Sequence, residues 1–349
     1  MKPILILPII SILTILLSMK VFSMSLSSSI RKNGIFYNLE PSIEVEGKAD
    51  WSEFKKERKF IEEKIKSNPI PPNHVLSKEK SLELFTLLST QNSISWIGHA
   101  SFLIQLNGLN ILTDPLFSNN AGPLWFGPKR IVKPGMELSS IPRIDIIIIS
   151  HSHYDHLDKA SLDKIPNKEE ITVYVPLNLS TFFKKIGYKK IIELDWLETH
   201  QFNDSTNIRL LPSHHWSQRT LFDRNKTLWG SYQITVDNYN IFFMGDSAYS
   251  KIFKEIGELS GPYNLAILGI GAYEPETIMK NSHTTPEEAV QVGKDINAEN
   301  ILAMHWGTVI LSTEDPWEPP TRFKSAGKNE GYLEENIWIM KIGETKELR

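Results

Sequence analysis

The chain of 349 residues contains no cysteine. That absence excludes disulfides, thiolate nucleophiles, iron–sulfur clusters, cysteine-type zinc fingers and a lipoprotein anchor. Any metal must be held by nitrogen and oxygen donors. A surplus of one charge is also missing: 38 Lys+Arg stand against 41 Asp+Glu, a formal net charge of -3. Nucleic-acid binders normally carry a basic excess, so nucleic acid is not an expected partner. Long apolar runs are scarce. Residues 3–19 carry no charged side chain and lie at the lower edge of the roughly 17–25 residues that span a bilayer. With one such run, a polytopic membrane protein is excluded. Hydrophobic residues at 41% and charged residues at 23% are globular values rather than disordered ones.

The apolar N-terminal run reads as an anchor helix, a cleaved signal or a buried core helix, and no small-x-small cleavage site follows it. Lys2 argues for a cytoplasmic N-terminus, while Lys20, Arg31 and Lys32 argue for a cytoplasmic body, so the side of the membrane stays open. The chain divides into a hydrophobic anchor or signal at 1–20, an extension at 21–90, and a main domain at 91–349. Within the extension, 52–67 predicts a charged helix whose Phe54, Phe60, Ile61 and Ile65 form one apolar stripe. The extension is expected to wrap the main domain without chemistry of its own.

From residue 93 short β-rich runs begin. Strands are expected at 93–97, 101–106 and 109–113, with Asn107-Gly108 as a tight hairpin turn. Others follow at 144–150, 171–175, 191–194, 208–212, 232–236, 241–244, 265–269 and 300–304. Helices intervene at about 158–165, 179–187, 249–257 and 286–297. The last opens on Thr285-Pro286-Glu287-Glu288, a capping residue with Pro at the first helical position. Hairpins first, then strands alternating with helices, predict an α/β fold of two mixed sheets packed face to face with helices outside.

The chemistry concentrates after a run of four isoleucines, in His151-Ser152-His153-Tyr154-Asp155-His156-Leu157-Asp158. Four potential metal ligands fall within six residues. His151 and His153 cannot share a helix face, but a loop at the end of a buried strand can converge them. Asp155 and His156 are adjacent and point apart, which suits a second metal beside the first. A zinc ion takes about four ligands, so more must come from other strand ends. Three offer them: Ser213-His214-His215-Trp216, Met244-Gly245-Asp246-Ser247 and Met304-His305-Trp306-Gly307. Asp158 reads as the cap of the next helix, and Asp114 and His99 as supports. The loop 119–133 mixes Leu124, Trp125 and Phe126 with Lys129, Arg130 and Lys133, a composition suited to a lipid surface.

These strings resemble the metallo-β-lactamase superfamily, and within it the N-acyl-phosphatidylethanolamine-hydrolysing phospholipase D family. The same resemblance runs through Trp96-Ile97-Gly98-His99-Ala100, Leu112-Thr113-Asp114-Pro115-Leu116, Gly127-Pro128-Lys129-Arg130, His215-Trp216-Ser217-Gln218-Arg219-Thr220 and His283-Thr284-Thr285-Pro286. It covers roughly 90–320. It implies a four-layer αββα sandwich and two Zn²⁺ ions per chain. His151, His153 and His215 would hold one zinc, Asp155, His156 and His305 the other, and Asp246 would bridge them. His215 rather than His214 is chosen because it directly precedes the tryptophan of the family's string. Catalytic roles fall to Asp155, Asp246 and His283, and substrate contact to Tyr154 and His283, the latter beside a helix N-terminus that favours an anion. The implied reaction cleaves an N-acyl-phosphatidylethanolamine or related phospholipid to phosphatidate and an N-acylethanolamine, with phospholipid and membrane as partners. The rivals are a lactonase or other small-substrate hydrolase on the same site, and a non-catalytic, metal-stabilised binding module.

Overall fold

The apolar runs of the second quarter of the chain become a sheet buried on both faces. In the computed structural model, residues 26–67, 70–123 and 126–349 are described. The expected anchor or signal at 1–20, and Leu124 and Trp125 of the 119–133 loop, lie outside the described residues. No helix among the described residues is long and apolar enough to cross a membrane.

A hairpin of Ile30–Lys32 (β1) and Ile35–Tyr37 (β2) opens the described chain. Six strands then build most of the first sheet: Ser93–Gly98 (β3), Ser101–Leu106 (β4), Leu109–Thr113 (β5), Ile146–Ile148 (β6), Thr172–Pro176 (β7) and Lys190–Leu194 (β8). The second sheet takes Thr199–Asn203 (β9), Thr206–Leu211 (β10), Ser231–Val236 (β11), Tyr239–Phe243 (β12), Tyr263–Gly269 (β13), Ala298–Met304 (β14) and Ile337–Trp338 (β15). Thr345–Glu347 (β16) returns to the first sheet. The spatial orders are β16-β3-β4-β5-β6-β7-β8 and β15-β14-β13-β12-β11-β10-β9. Between β4 and β5, Asn107 and Gly108 both take positive φ, 48° and 80°, the two left-handed residues a tight hairpin requires.

The isoleucine run shows why strand and not helix forms. Ile146 and Ile148 face the second sheet, packed in one core with Leu210, Tyr232, Ile241 and Ile267. Ile147 and Ile149 face the other way, packed with Leu162, Leu179 and Phe183. Period-two alternation between two apolar faces accounts for an uninterrupted run, since β6 is parallel to both neighbours and covered on each side. The result is four layers, helix–sheet–sheet–helix, an α/β fold. Strand β9 and the C-terminal strands β15 and β16 were not expected from sequence. β9 reads Thr-His-Gln-Phe-Asn, half-exposed and polar, and β15 is two residues long.

Direction matters for the site. β5, β6 and β7 are mutually parallel. β12, β13 and β14 are parallel as well. β10 is antiparallel to β11, which is antiparallel to β12, so β10 runs with them. The carboxyl ends of β10, β12 and β14 therefore lie at one edge of the second sheet, and contacts of the loop after β6 with residues beyond β10 and β12 bring its carboxyl end to the same edge, where α/β sheets place their ligands.

Candidate metal centre

Each of those four strand ends carries candidate ligands. β6 ends at Ile148, two residues before the loop 151–158. Asp158 closes that loop by capping the helix Lys159–Lys164, accepting from the N–H groups of Ala160 and Ser161. β10 leads to His215, β12 to Asp246 and β14 directly to His305. Gly245, at φ +59°, lets the chain turn there, because a Cβ would sit 2.6 Å from that of Ser150. Non-glycine residues also adopt left-handed backbone at this edge: His99 (φ 58°), Asp114 (φ 31°) and His305 (φ 63°). Such conformations persist where surrounding packing over-determines them.

The side chains form two adjoining groups. In the first, His151 Nε2 lies 2.8 Å from His153 Nδ1, and His215 Nε2 lies 3.2 Å from the same atom. Asp246 Oδ2 approaches His151 Nε2 at 3.7 Å and His215 Nε2 at 3.8 Å. In the second, Asp155 Oδ2 is 3.3 Å from His156 Nε2, 3.4 Å from His305 Nε2 and 2.9 Å from His99 Nε2. Asp246 touches this group too, with Oδ2 3.1 Å from His156 Nε2 and Oδ1 3.3 Å from His305 Nε2. All seven residues named from sequence are thus brought together.

The outer contacts of the rings decide what their inner nitrogens offer. Asp114 accepts from the N–H and hydroxyl of Ser150 at 2.7 and 2.6 Å, and from His156 Nδ1 at 2.7 Å. With its own hydrogen spent on Asp114, the Ser150 hydroxyl accepts from His151 Nδ1 at 2.9 Å. His215 Nδ1 donates to the Ser282 carbonyl at 2.9 Å. For His151, His156 and His215 the outer nitrogen therefore carries the hydrogen, and Nε2 presents a lone pair inward. Those lone pairs face each other and the carboxylates of Asp155 and Asp246. His156 Nε2 and His305 Nε2, both inaccessible to solvent, have no hydrogen-bond partner. Buried acceptors facing acceptors are unfavourable unless a cation lies between them, so the donor set fits metal ions.

The electrostatics agree. Burial, with neighbouring histidines, holds His151 and His215 well below the ordinary imidazole range, and burial brings His153 to about 4. They are neutral, the form that binds metal. Burial would raise Asp155 and Asp246, but the attraction of His156 and its neighbours holds both well below the usual carboxylate range. For His156, burial opposes the charged form, yet Asp246, Asp155 and Asp114 raise it well above normal. The carboxylates thus favour a positive charge at this position, which a metal ion held by His156 Nε2 would supply in place of a proton.

Other expected residues take definite places. His283 Nδ1 is 4.0 Å from Asp246 Oδ2, and its ring stacks on His305 with centroids 5.3 Å apart. At the helix N-terminus beside it, Thr285 and Glu288 form a reciprocal capping box that takes the N–H groups of both residues. The Tyr154 hydroxyl donates to the Arg219 carbonyl at 3.0 Å, with the Arg219 guanidinium over its ring, and the residue lines the pocket. Arg130 is likewise spent internally, donating to the carbonyls of Leu116 and Val132. His99 reads from the sequence as a support. Its ring stands beside Asp155, held there by a left-handed turn that chain spacing does not announce.

A pocket of about 740 Å³ opens onto this centre, lined by His153, Asp246 and His283 and walled by Trp51, Trp216 and Met279. Residues 109–306 match the beta-lactamase superfamily domain. The chain is 39% identical over 242 residues to N-acyl-phosphatidylethanolamine-hydrolyzing phospholipase D 1 of Caenorhabditis elegans, covering 66% of this chain and 68% of that protein. It is 36% identical over 258 residues to the mitochondrial N-acyl-phosphatidylethanolamine-hydrolyzing phospholipase D of Saccharomyces cerevisiae, covering 72% of this chain and 55% of the yeast protein. Igni18, a metallo hydrolase from Ignicoccus hospitalis, shares the fold with a TM-score of 0.57 at 22% identity, over 73% of this chain and 97% of that one. With these matches and a buried centre whose inner donors need a cation, the chain belongs to the metallo-β-lactamase superfamily of metal-dependent hydrolases and is related within it to the N-acyl-phosphatidylethanolamine-hydrolysing phospholipases D.

Proposed function

We propose that the protein is a dizinc phosphodiesterase of phospholipase D type, cleaving N-acyl-phosphatidylethanolamine or a related phospholipid to phosphatidate and an N-acylethanolamine. The observation that carries the reading is the Asp246 carboxylate, whose two oxygens reach both histidine groups. His151, His153 and His215 would hold one zinc and Asp155, His156 and His305 the other, with Asp246 between. The donor set of imidazoles and carboxylates without thiolate suits zinc. Bound zinc would supply Lewis acidity to the attacking water and to the phosphoryl oxygens. The chain's own groups do the rest. Asp246 and Asp155 accept hydrogen bonds from the attacking water and orient it toward phosphorus. His99, 2.9 Å from Asp155 Oδ2, fixes that carboxylate. His283, brought to about 4 chiefly by burial, is neutral and offers an N–H to a phosphoryl oxygen or the leaving alkoxide.

The purified protein is expected to hold about two zinc ions per chain and, on a phospholipid panel, to release phosphatidate and N-acylethanolamine. Metal content below one per chain in a well-loaded preparation would sink the dimetal reading. Hydrolysis of lactones with no lipid product would transfer the site to the small-substrate rival.

A lipid substrate is supported by the apolar side chains around the mouth. Phe126 is 60% exposed, Leu221 86% and Phe222 83%, the last two on the turn between the pocket-lining Gln218 and Arg224. Moving one such side chain from water into an apolar phase is worth about 1.5–3 kcal/mol, and 1.4 kcal/mol is about tenfold in affinity. Replacing Leu221 and Phe222 together by Ser is expected to reduce vesicle binding by about tenfold or more. Hydrolysis of a monomeric short-chain analogue should hold near its original rate. An equal loss on both substrates would assign the pair to folding instead of to a membrane surface. The N-terminal run 1–20 would add an anchor, on either side of the membrane.

A further inference from the structure

The sheet that delivers His215 stops short of it. β10 ends at Leu211, and the last sheet-like pairing is the isolated bridge between His214 and Ala248. His215 is buried, so its N–H and carbonyl need partners from elsewhere. Both come from one side chain of the extension. Asn38 Oδ1 accepts from the His215 N–H at 3.1 Å, and Asn38 Nδ2 donates to the His215 carbonyl at 3.0 Å. The amide thus stands in for a neighbouring strand. Trp229 Nε1 donates to the same Oδ1 at 3.1 Å and so fixes which end of the amide faces which way. Asn38 in turn follows β2, where Phe36 is fully buried and its N–H donates to the Asn225 carbonyl at 2.8 Å.

Five residues on, the extension makes a second clasp of the same kind. The Ile43 N–H donates to Asn281 Oδ1 at 2.6 Å, and Asn281 Nδ2 donates to the Ile43 carbonyl at 2.9 Å. The next residue, Ser282, is the one whose carbonyl sets the His215 ring at 2.9 Å, and His283 follows it. The segment 36–43 therefore holds the backbone of His215 through one amide and the loop that aims its ring through another. None of this segment lies within the superfamily match of 109–306.

We propose that Asn38 is a positioning residue of the metal centre, through which the N-terminal extension sets the affinity of the His151–His153–His215 site. The extension is then part of the site rather than an inert wrap. The proposal rests on the reading of His215 as a ligand, and the test keeps the two apart. Full-length protein is stripped of metal and titrated with zinc against a competing chelator, and with cobalt by absorption, for the wild type, Asn38→Ala, Asn38→Asp and His215→Ala. Loss of a group that orients a ligand typically costs about 10–100-fold in metal affinity. Asn38→Ala should therefore weaken zinc binding by about 10–100-fold and shift the cobalt absorption, effects that a purely structural role would not produce. Asn38→Asp keeps the acceptor for the His215 N–H but loses the donor to its carbonyl, and should fall between. If Asn38→Ala does not fold, Asn38→Asp decides by the same two readouts. Wild-type zinc affinity and an unaltered cobalt spectrum in Asn38→Ala, while His215→Ala loses a metal, would overturn the clasp alone. If His215→Ala also binds like the wild type, the ligand assignment fails, and this inference with it.

Discussion

Asp246→Asn is expected to lower turnover of the best phospholipid substrate by about 10²–10³-fold, the scale of losing one pre-organised electrostatic partner at a reacting centre. Asp246 is nearly fully buried and lies within 4 Å of His151, His156, His215, His283 and His305. Asparagine preserves the shape of the side chain and removes its charge. It also turns one of the two oxygens into a donor, aimed at nitrogens that present lone pairs. The fold should tolerate this better than the chemistry does, because the backbone of residue 246 keeps its turn at Gly245 whichever side chain follows. Single-turnover kinetics with metal content measured on the same sample checks it. A variant that retains two metals and hydrolyses at the wild-type rate would remove Asp246 from the bridging position. One that loses a metal while its thermal midpoint is unchanged would still support a ligand role.

His283→Ala is expected to reduce phosphodiester hydrolysis by about 10²–10⁴-fold, the usual contribution of one acid–base group, with metal content intact. His283 belongs to neither of the two main groups, yet its Nδ1 approaches Asp246 Oδ2 at 4.0 Å and its ring lines the pocket. That geometry leaves two roles, a substrate-facing hydrogen-bond donor and an extra ligand. Alanine separates them. Loss of a metal would make His283 a ligand and revise the coordination set. Full activity with both metals bound would leave the residue a bystander of the reaction.

The sequence by itself determined what depends on neighbours along the chain. Four isoleucines in a row require a strand covered on both faces, because period-two alternation sends Ile146 and Ile148 one way and Ile147 and Ile149 the other. Asn107-Gly108 fixes a hairpin because both residues tolerate positive φ. Histidines two apart followed by an adjacent Asp–His pair cannot be dispersed by a loop of eight residues, so their gathering was legible too. The absence of cysteine excluded thiolate ligands outright.

Tertiary structure alone decided the orientation of side chains whose partners come from far along the chain. His214 and His215 are adjacent and chemically identical. One is taken up by a bridge to Ala248 and its ring nitrogens find no partner, while the other reaches His153. The backbone of His215 is held by Asn38 and its ring by the Ser282 carbonyl, 177 and 67 residues away. His99 comes to Asp155 across 56 residues through a left-handed backbone turn. The polar strand β9 pairs only because β10 lies beside it. Spacing along a chain sets which side chains start near one another. The direction a buried imidazole faces is set by which distant groups satisfy its other nitrogen and its backbone, and those partners exist only once the two sheets have packed.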